Sequence, residues 1–246
     1  MKIAIISGAS SGIGAEFTKE LDKIGLDELW LIAKDDGLLN DISSKLKTRL
    51  KLIPIDLSCT EAFHDINEML AKEAPEIEYL VCSAGVGFNG AFDNITQKQI
   101  ELTVSINCTA LSLLNSICLP YLNEGARIIN IASGSGFLPQ PYFAVYAASK
   151  AYVISLSRAL GYELRKKGVS VTAVCPGPVN TSFFSSLDDV KEYKKKFLIT
   201  PEKVARGALK ASKKRKKIYT PTLSMKLVHL ASKLLPTSLT LQFYKE

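Results

Sequence analysis

Ser133, Tyr146 and Lys150 are the residues of this 246-residue chain whose types and spacing point most directly to chemistry. Tyr146 and Lys150 stand four apart at the start of a helix-favouring run, 147–167. That spacing puts both side chains on one helix face, one turn apart. An ammonium beside a phenol favours the phenolate, so the tyrosine pKa is expected to fall from its reference near ~10. A phenol tuned in this way can give or take a proton in a reaction. Ser133 closes the apolar run 127–132 (RIINIA), which places its hydroxyl at the carboxyl end of a strand. Open α/β sheets bind their ligands at that edge.

The elements that position these groups are legible as an alternation. Residues 2–6 (KIAII) form a short apolar run that flows into Ser7-Gly8-Ala9-Ser10-Ser11-Gly12-Ile13-Gly14, followed by helix-forming residues to Ile24. Strand, glycine turn and helix make the context of a dinucleotide-binding turn. There the glycines let the backbone approach a pyrophosphate and the helix N-terminus supplies amide donors. Further on, 28–33 reads as a strand, 38–50 as a helix and 51–55 as a strand ending in Asp56-Leu57. Ser58 and Glu61 are spaced as a capping box for a helix to about Lys72. Residues 77–82 form a fourth strand, ending in Ser83-Ala84-Gly85. Thr96 and Gln99 cap a helical region to about Leu122. Residues 127–132 form a fifth strand, 146–167 a helix and 169–175 a sixth strand, closing in Pro176-Gly177. Thr200 caps and Pro201 opens a helix to about Ser212, and 218–220 is a last short strand. Strands alternating with helices of this length predict one α/β domain spanning 1–246, a doubly wound parallel sheet with helices on both faces. Residues 191–246 form its basic and apolar C-terminal lid and tail region.

Composition narrows the function classes. The apolar share of 47% and charged share of 22% are ordinary for a soluble protein. No uninterrupted apolar stretch reaches ~18 residues, so no spanning helix is expected. The N-terminus reads as a buried strand, not a signal peptide, which makes the cytoplasm the expected location. The five scattered cysteines and two distant histidines predict free thiols and no metal site. The net charge of +7 is uneven: residues 191–217 hold twelve Lys/Arg against two Asp/Glu, so they carry +10 and the remainder −3. Those bases are not interleaved with a stacking platform, so nucleic acid is not an expected partner.

Taken together, these motifs resemble a classical short-chain dehydrogenase/reductase over nearly the whole chain. The family's Thr-Gly-x-x-x-Gly-x-Gly is matched by Ser7 to Gly14, its Asn-Ala-Gly by Ser83-Ala84-Gly85, and its Ser…Tyr-x-x-x-Lys by Ser133, Tyr146 and Lys150. The resemblance implies a Rossmann fold of about seven strands and a hydride exchanged between a nicotinamide cofactor and a carbonyl or secondary alcohol. It implies four catalytic residues, Asn107, Ser133, Tyr146 and Lys150. Tyr146 would move the proton, Ser133 would donate to the substrate oxygen, and Asn107 would hold a water linking Lys150 to solvent. The cofactor would be held by Gly8, Ser10, Ser11, Gly12, Ile13, Gly14, Lys34, Asp56 (at the adenine) and Leu57. Ser83, Ala84, Gly85, Tyr146, Lys150, Pro176, Gly177, Val179 and Thr181 complete that set. A homodimer or homotetramer through helices 100–122 and 146–167 is implied as well.

The second strand ends Ala33-Lys34-Asp35-Asp36, with no acid at its close and a base directly after it. This favours NADP(H), with NAD as the alternative. Phe88, Phe92, Phe137, Leu138, Tyr142, Phe143, Phe183, Phe184 and Leu187 are candidates to overhang the site, which suits a hydrophobic, ketoacyl- or steroid-like ketone. The run 225–235 presents Met225, Leu227, Val228, Leu230, Ala231, Leu234 and Leu235 as one apolar face, with Lys226 and Lys233 elsewhere. It would pack on its own domain or on a sister subunit, or make a peripheral contact with an anionic membrane. A different class of function also fits: a catalytically silent nucleotide-binding sensor or scaffold with the same fold.

Overall fold

The computed structural model of the chain describes residues 1–44, 46–185, 187 and 198–241. Strand β1 (Lys2–Ser7) is buried at every position but its first. Its side chains alternate between two cores, Ile3 and Ile5 in one and Ala4 and Ile6 in the other. A strand with apolar residues on both faces belongs at the centre of a sheet covered on both sides. β1 lies between β2 (Glu28–Ala33) and β4 (Glu76–Cys82) in a seven-stranded sheet of order β3-β2-β1-β4-β5-β6-β7. The others are β3 (Arg49–Pro54), β5 (Leu122–Ile131), β6 (Ser170–Val174) and β7 (Ile218–Tyr219), and every pairing is parallel. Strand order reverses between β1 and β4, so a crevice opens there at the carboxyl edge.

Helices α1 (Gly12–Leu21) and α2 (Asp36–Ser43) follow β1 and β2, and α3 (Ala62–Glu73) follows β3. Helices α4 (Gln97–Val104) and α5 (Leu111–Cys118) follow β4, and α6 (Ala144–Glu163) follows β5. Among the described residues the remaining α-helices are α7 (Ser182–Ser185), α8 (Pro201–Lys213), α9 (Leu223–Leu234) and α10 (Thr237–Leu241). One core takes Phe63, Ile66 and Leu70 from α3, Leu111 and Leu114 from α5, and Val153 from α6. The other takes Phe17 and Leu21 from α1 and Val204, Ala205 and Ala208 from α8. Each buried aliphatic side chain contributes ~1.5–3 kcal/mol, so the sheet is held from both faces.

Several boundaries differ from the sequence reading. The helix expected over 38–50 ends at Ser43, because the Asp22 carboxylate accepts the Lys47 and Thr48 amides at 2.9 and 2.8 Å. That clamp turns the chain back so that Arg49 pairs with Glu28 in β3. The expected Ser58–Glu61 box does not form. Ser58 instead donates its amide and hydroxyl to Asp56 at 2.9 and 2.7 Å, and α3 starts only at Ala62. The Thr96–Gln99 box does form, and Thr200 caps α8 as expected. The helical region after Thr96 is broken between α4 and α5 by a π-helical segment, Ser105–Ala110. β5 begins at Leu122, ahead of the expected 127, because Leu122 already pairs with Ile77. Where the sequence suggested no spanning helix, Gln97–Tyr121 is long and apolar enough to cross a membrane by length and composition. Here its apolar face is spent on the sheet, through Ile106, Ala110, Leu111, Leu114 and Cys118.

Candidate active site

The carboxyl ends of β1, β4, β5 and β6 border a cavity of about 620 Å³. Its lining brings together Gly8, Ser11, Gly12 and Ile13 from the glycine turn and Ser83, Ala84 and Gly85 after β4. Ser133, Tyr146 and Lys150 join them, with Pro176, Gly177, Val179 and Thr181 after β6. Residues up to 220 positions apart in sequence therefore meet around one space, as Gly8 and Val228 do.

The glycine turn is built by close approach. Gly8 has φ +65°, and a Cβ there would stand 2.8 Å from the Ala84 amide nitrogen. A Cβ on Gly14 would stand 2.0 Å from the Gly8 carbonyl oxygen. The turn is thus pressed against the chain after β4, and Ser7 locks the two together. Its hydroxyl accepts the Ser83 and Ala84 amides at 3.1 and 3.3 Å. This backbone cradle leaves the first turn of α1 open to the cavity, a fit for a dinucleotide pyrophosphate.

Around the tyrosine, packing is aromatic. The Tyr146 ring stacks on Phe143 with centroids 4.3 Å apart and leans on Phe183 at 5.5 Å. The Lys150 ammonium lies 5.6 Å from the Tyr146 ring centre and donates to the Ile131 carbonyl at 2.9 Å. Burial pushes the Tyr146 phenol up to about 12, while hydrogen bonding from the Ser133 side chain pulls it the other way. Burial also brings Lys150 down to about 8. The expected fall of the tyrosine pKa is therefore reversed in the protein alone: taking the phenol out of water outweighs its neighbours.

Asn107, fully buried in the π segment, does not line the cavity. Its Oδ1 accepts the Val86 amide at 2.9 Å, and its Nδ2 donates to the Val86 carbonyl and to Ser149 Oγ at 2.8 and 2.9 Å. Ser149 in turn donates to the Tyr146 carbonyl at 2.7 Å. Both amide protons of Asn107 are thus committed to protein, so its side chain braces the Tyr146–Lys150 turn.

Of the expected cofactor residues, Lys34, Asp56 and Leu57 stand beyond the cavity, beside β2 and β3. Lys34 and Asp56 form an ion pair at 2.7 Å, and Asp56 is held down at about 2 by Lys34 and by both Ser58 donors. Leu57 is buried in the core, which leaves only its backbone to face a ligand. Ser10 and Gly14 sit within the glycine turn without lining the cavity.

Residues 2–192 match the family described as short chain dehydrogenase. The chain belongs to that family. This short-chain dehydrogenase is 31% identical over 189 residues to an uncharacterized oxidoreductase of Staphylococcus epidermidis, covering 76% of this chain and 82% of that protein. It is 32% identical over 187 residues to the human very-long-chain 3-oxoacyl-CoA reductase, covering 70% of this chain and 58% of that one. A short-chain dehydrogenase from Sphingobium yanoikuyae, solved in complex with NADPH, superposes with a TM-score of 0.80 at 26% identity, over 100% of this chain and 97% of its own. Membership makes the protein an oxidoreductase of that family.

Sequence reasoning expected a lid within 191–246 but assigned none of its residues to the site of this dehydrogenase. Met225 and Val228 of α9 line it, together with Thr222 and Ser224. A Cβ on Gly134 would stand 2.5 Å from Met225 Sδ, and one on Gly177 3.3 Å from Met225 Cγ. Those two glycines were the available signal. Of the apolar candidates, Leu138, Phe143, Phe183, Phe184 and Leu187 line the cavity. Phe88, Phe92, Phe137 and Tyr142 do not: Phe137 stacks on His229, and Phe92 and Tyr142 face solvent.

The buried lysine has a consequence for stability. The folded chain releases the Lys150 proton near pH 8, whereas the unfolded chain holds it to about 10.4. Folding is thus penalised at neutral pH, and the penalty fades as pH rises through that window. Lys150→Met removes the titration. The stability of wild type relative to Lys150→Met should rise by roughly 2–3 kcal/mol between pH 7 and pH 10. Urea unfolding at several pH values measures this; a pH-independent difference would count against the burial account.

Proposed function

We propose that this short-chain dehydrogenase reduces an apolar ketone, or oxidises the matching secondary alcohol, with NADP(H) preferred over NAD(H). The observation that carries this is the meeting of Tyr146, Ser133 and Lys150 inside a cavity whose wall includes Leu138, Phe143, Phe183, Phe184, Met225 and Val228. Apolar side chains around a polar focus select a greasy substrate and orient its oxygen. The cofactor supplies or accepts the hydride. Tyr146 gives its phenolic proton to the carbonyl oxygen on reduction and takes it back on oxidation. Ser133 donates a second hydrogen bond to that oxygen as charge develops there. Lys150 stabilises the phenolate left behind, and Phe143 and Phe183 keep water from the ring. Gly8, Ser11, Gly12 and Ile13 hold the pyrophosphate, and Val179 and Thr181 orient the nicotinamide.

The NADP(H) preference rests on the end of β2. Lys34 is well exposed there, and Asp35, an acid that could repel a phosphate, accepts the Leu38 amide at 3.0 Å to cap α2. A 2′-phosphate can draw Lys34 from Asp56 into a charge-assisted hydrogen bond. Lys34→Ala should raise KM for NADPH roughly tenfold and leave KM for NADH within about twofold. Initial rates with both cofactors on a panel of hydrophobic ketones test the whole reading. A clear preference for NADH overturns the cofactor assignment, and activity confined to sugars overturns the substrate class. The five free cysteines suit the reducing cytoplasm. Val104 and Tyr152, exposed on α4 and α6, suit a homo-oligomer through those helices, a state light scattering would measure.

A further inference from the structure

Helix α9 has two apolar faces where the sequence suggested one. Met225 and Val228 point into the cavity, and His229 stacks on Phe137 at 4.3 Å. The opposite face carries Leu223, Leu227, Leu230 and Leu234, which are 70%, 59%, 55% and 72% exposed. Their spacing of four, three and four positions sets them in one narrow stripe along the helix. Four leucines more than half exposed in one row exceed the scattered apolar residues of an ordinary surface. Beyond the helix, Leu235, Leu239 and Leu241 extend the exposed apolar surface.

We propose that this outer face of α9 is a docking surface for an anionic lipid bilayer. Charge decides the occupant. Lys226 and Lys233, seven positions apart and both exposed, flank the leucine stripe on one side, and residues 220–241 contain no aspartate or glutamate. An apolar stripe bordered by cations and free of acids matches leucines lying among acyl chains with lysines at anionic headgroups. A second copy of the same face would instead set lysine against lysine, with no acid on the segment to offset the repulsion. The dense basic run 213–217 is not part of this surface. It precedes β7, where the Lys216 and Lys217 carbonyls accept from Thr172 and Ala173 within β6, and Arg215 donates to the Gly168 carbonyl ahead of that strand, on the amino side of the sheet away from the cavity. Of the other basic stretch, residues 191–197 lie outside the described residues. Docking through α9 brings the roof of the cavity to the bilayer surface, where an apolar ketone would be concentrated. That consequence rests on the proposed function; the docking itself does not.

The test is flotation of the full chain with vesicles of phosphatidylcholine alone and of phosphatidylcholine mixed with phosphatidylglycerol. Wild type should float with the mixed vesicles only, and Leu227→Glu/Leu230→Glu should lower the partition coefficient at least about tenfold. Neither leucine lines the cavity, so turnover of a water-soluble ketone should be unchanged in that variant. Lys226→Gln/Lys233→Gln keeps the stripe and should weaken flotation in a salt-dependent way, which serves if the glutamate variant fails to fold. Absence of flotation, or equal flotation of wild type and the glutamate variant, overturns the proposal. So does light scattering that shows wild type as a larger assembly which the glutamate variant splits, since a second copy would then cover the face.

Discussion

Tyr146→Phe should lower kcat by about 10³–10⁴-fold while cofactor affinity stays within about threefold. The ring would keep its stacking on Phe143 and its contact with Phe183, because only the hydroxyl is lost. What disappears is the proton donor and one of two hydrogen bonds to the substrate oxygen, the other coming from Ser133. The expected loss is in kcat and kcat/KM together, since both interactions grow as the oxygen gains charge. Calorimetric titration of the cofactor beside steady-state rates separates the two effects. Retained turnover would remove the proton-transfer assignment. A wild-type protein that binds the cofactor and turns over no ketone would instead favour the nucleotide sensor. The pH profile should carry the same signature. The phenol is pushed up by burial and Lys150 is brought down to about 8 in the protein alone. The pair therefore begins with its proton on the tyrosine, the state that reduction requires, and oxidation should be favoured as pH rises.

Gly14→Ala is the second large effect, and it acts on the scaffold. The new Cβ would sit 2.0 Å from the Gly8 carbonyl oxygen and 2.7 Å from its carbon. Both are backbone atoms, so no side-chain rotation relieves the clash. Either the α1 N-terminus or the end of β1 has to move, and Gly8 is itself pinned against Ala84. We expect a loss of about 3 kcal/mol, seen as a fall in Tm of roughly 6–12 °C for a chain of this size. Cofactor affinity should fall at least about a hundredfold, because the cradle and the helix amides no longer converge. Ser11→Ala is the control. Ser11 precedes the same helix, makes no side-chain capping bond and is exposed, so its stability should change by less than about 0.5 kcal/mol. Thermal unfolding of the two variants side by side decides the matter.

Much of this site was legible because its signals are short. The Tyr146–Lys150 spacing, the Gly8–Gly14 turn and the β-like runs that end at Ser83, Ser133 and Pro176 are each read within a few positions. Alternation then brings those runs to one sheet edge. What escaped the sequence depends on distant partners. The end of α2 is set by Asp22, which lies 25 positions before Lys47. Ser58 has the spacing of a cap but finds a better acceptor in Asp56 at 2.7 Å. The tyrosine pKa was read from its visible neighbour, Lys150, whereas its direction is set by burial, to which residues across the whole fold contribute. Which residues of the expected lid region reach the cavity was not legible, because Met225 rests on Gly134 and Gly177, which lie 91 and 48 positions before it.

That resting place separates two tasks along the chain. The groups proposed to move the proton and to line the dinucleotide's path through the cavity come before residue 182, whereas the roof contributes, among the described residues, Thr222, Ser224, Met225 and Val228. Exchanging Met225 or Val228 for smaller or larger apolar residues would reshape the admitted guest without moving Tyr146 or Lys150. Selectivity in this scaffold can therefore drift in one late helix while the chemistry stays fixed.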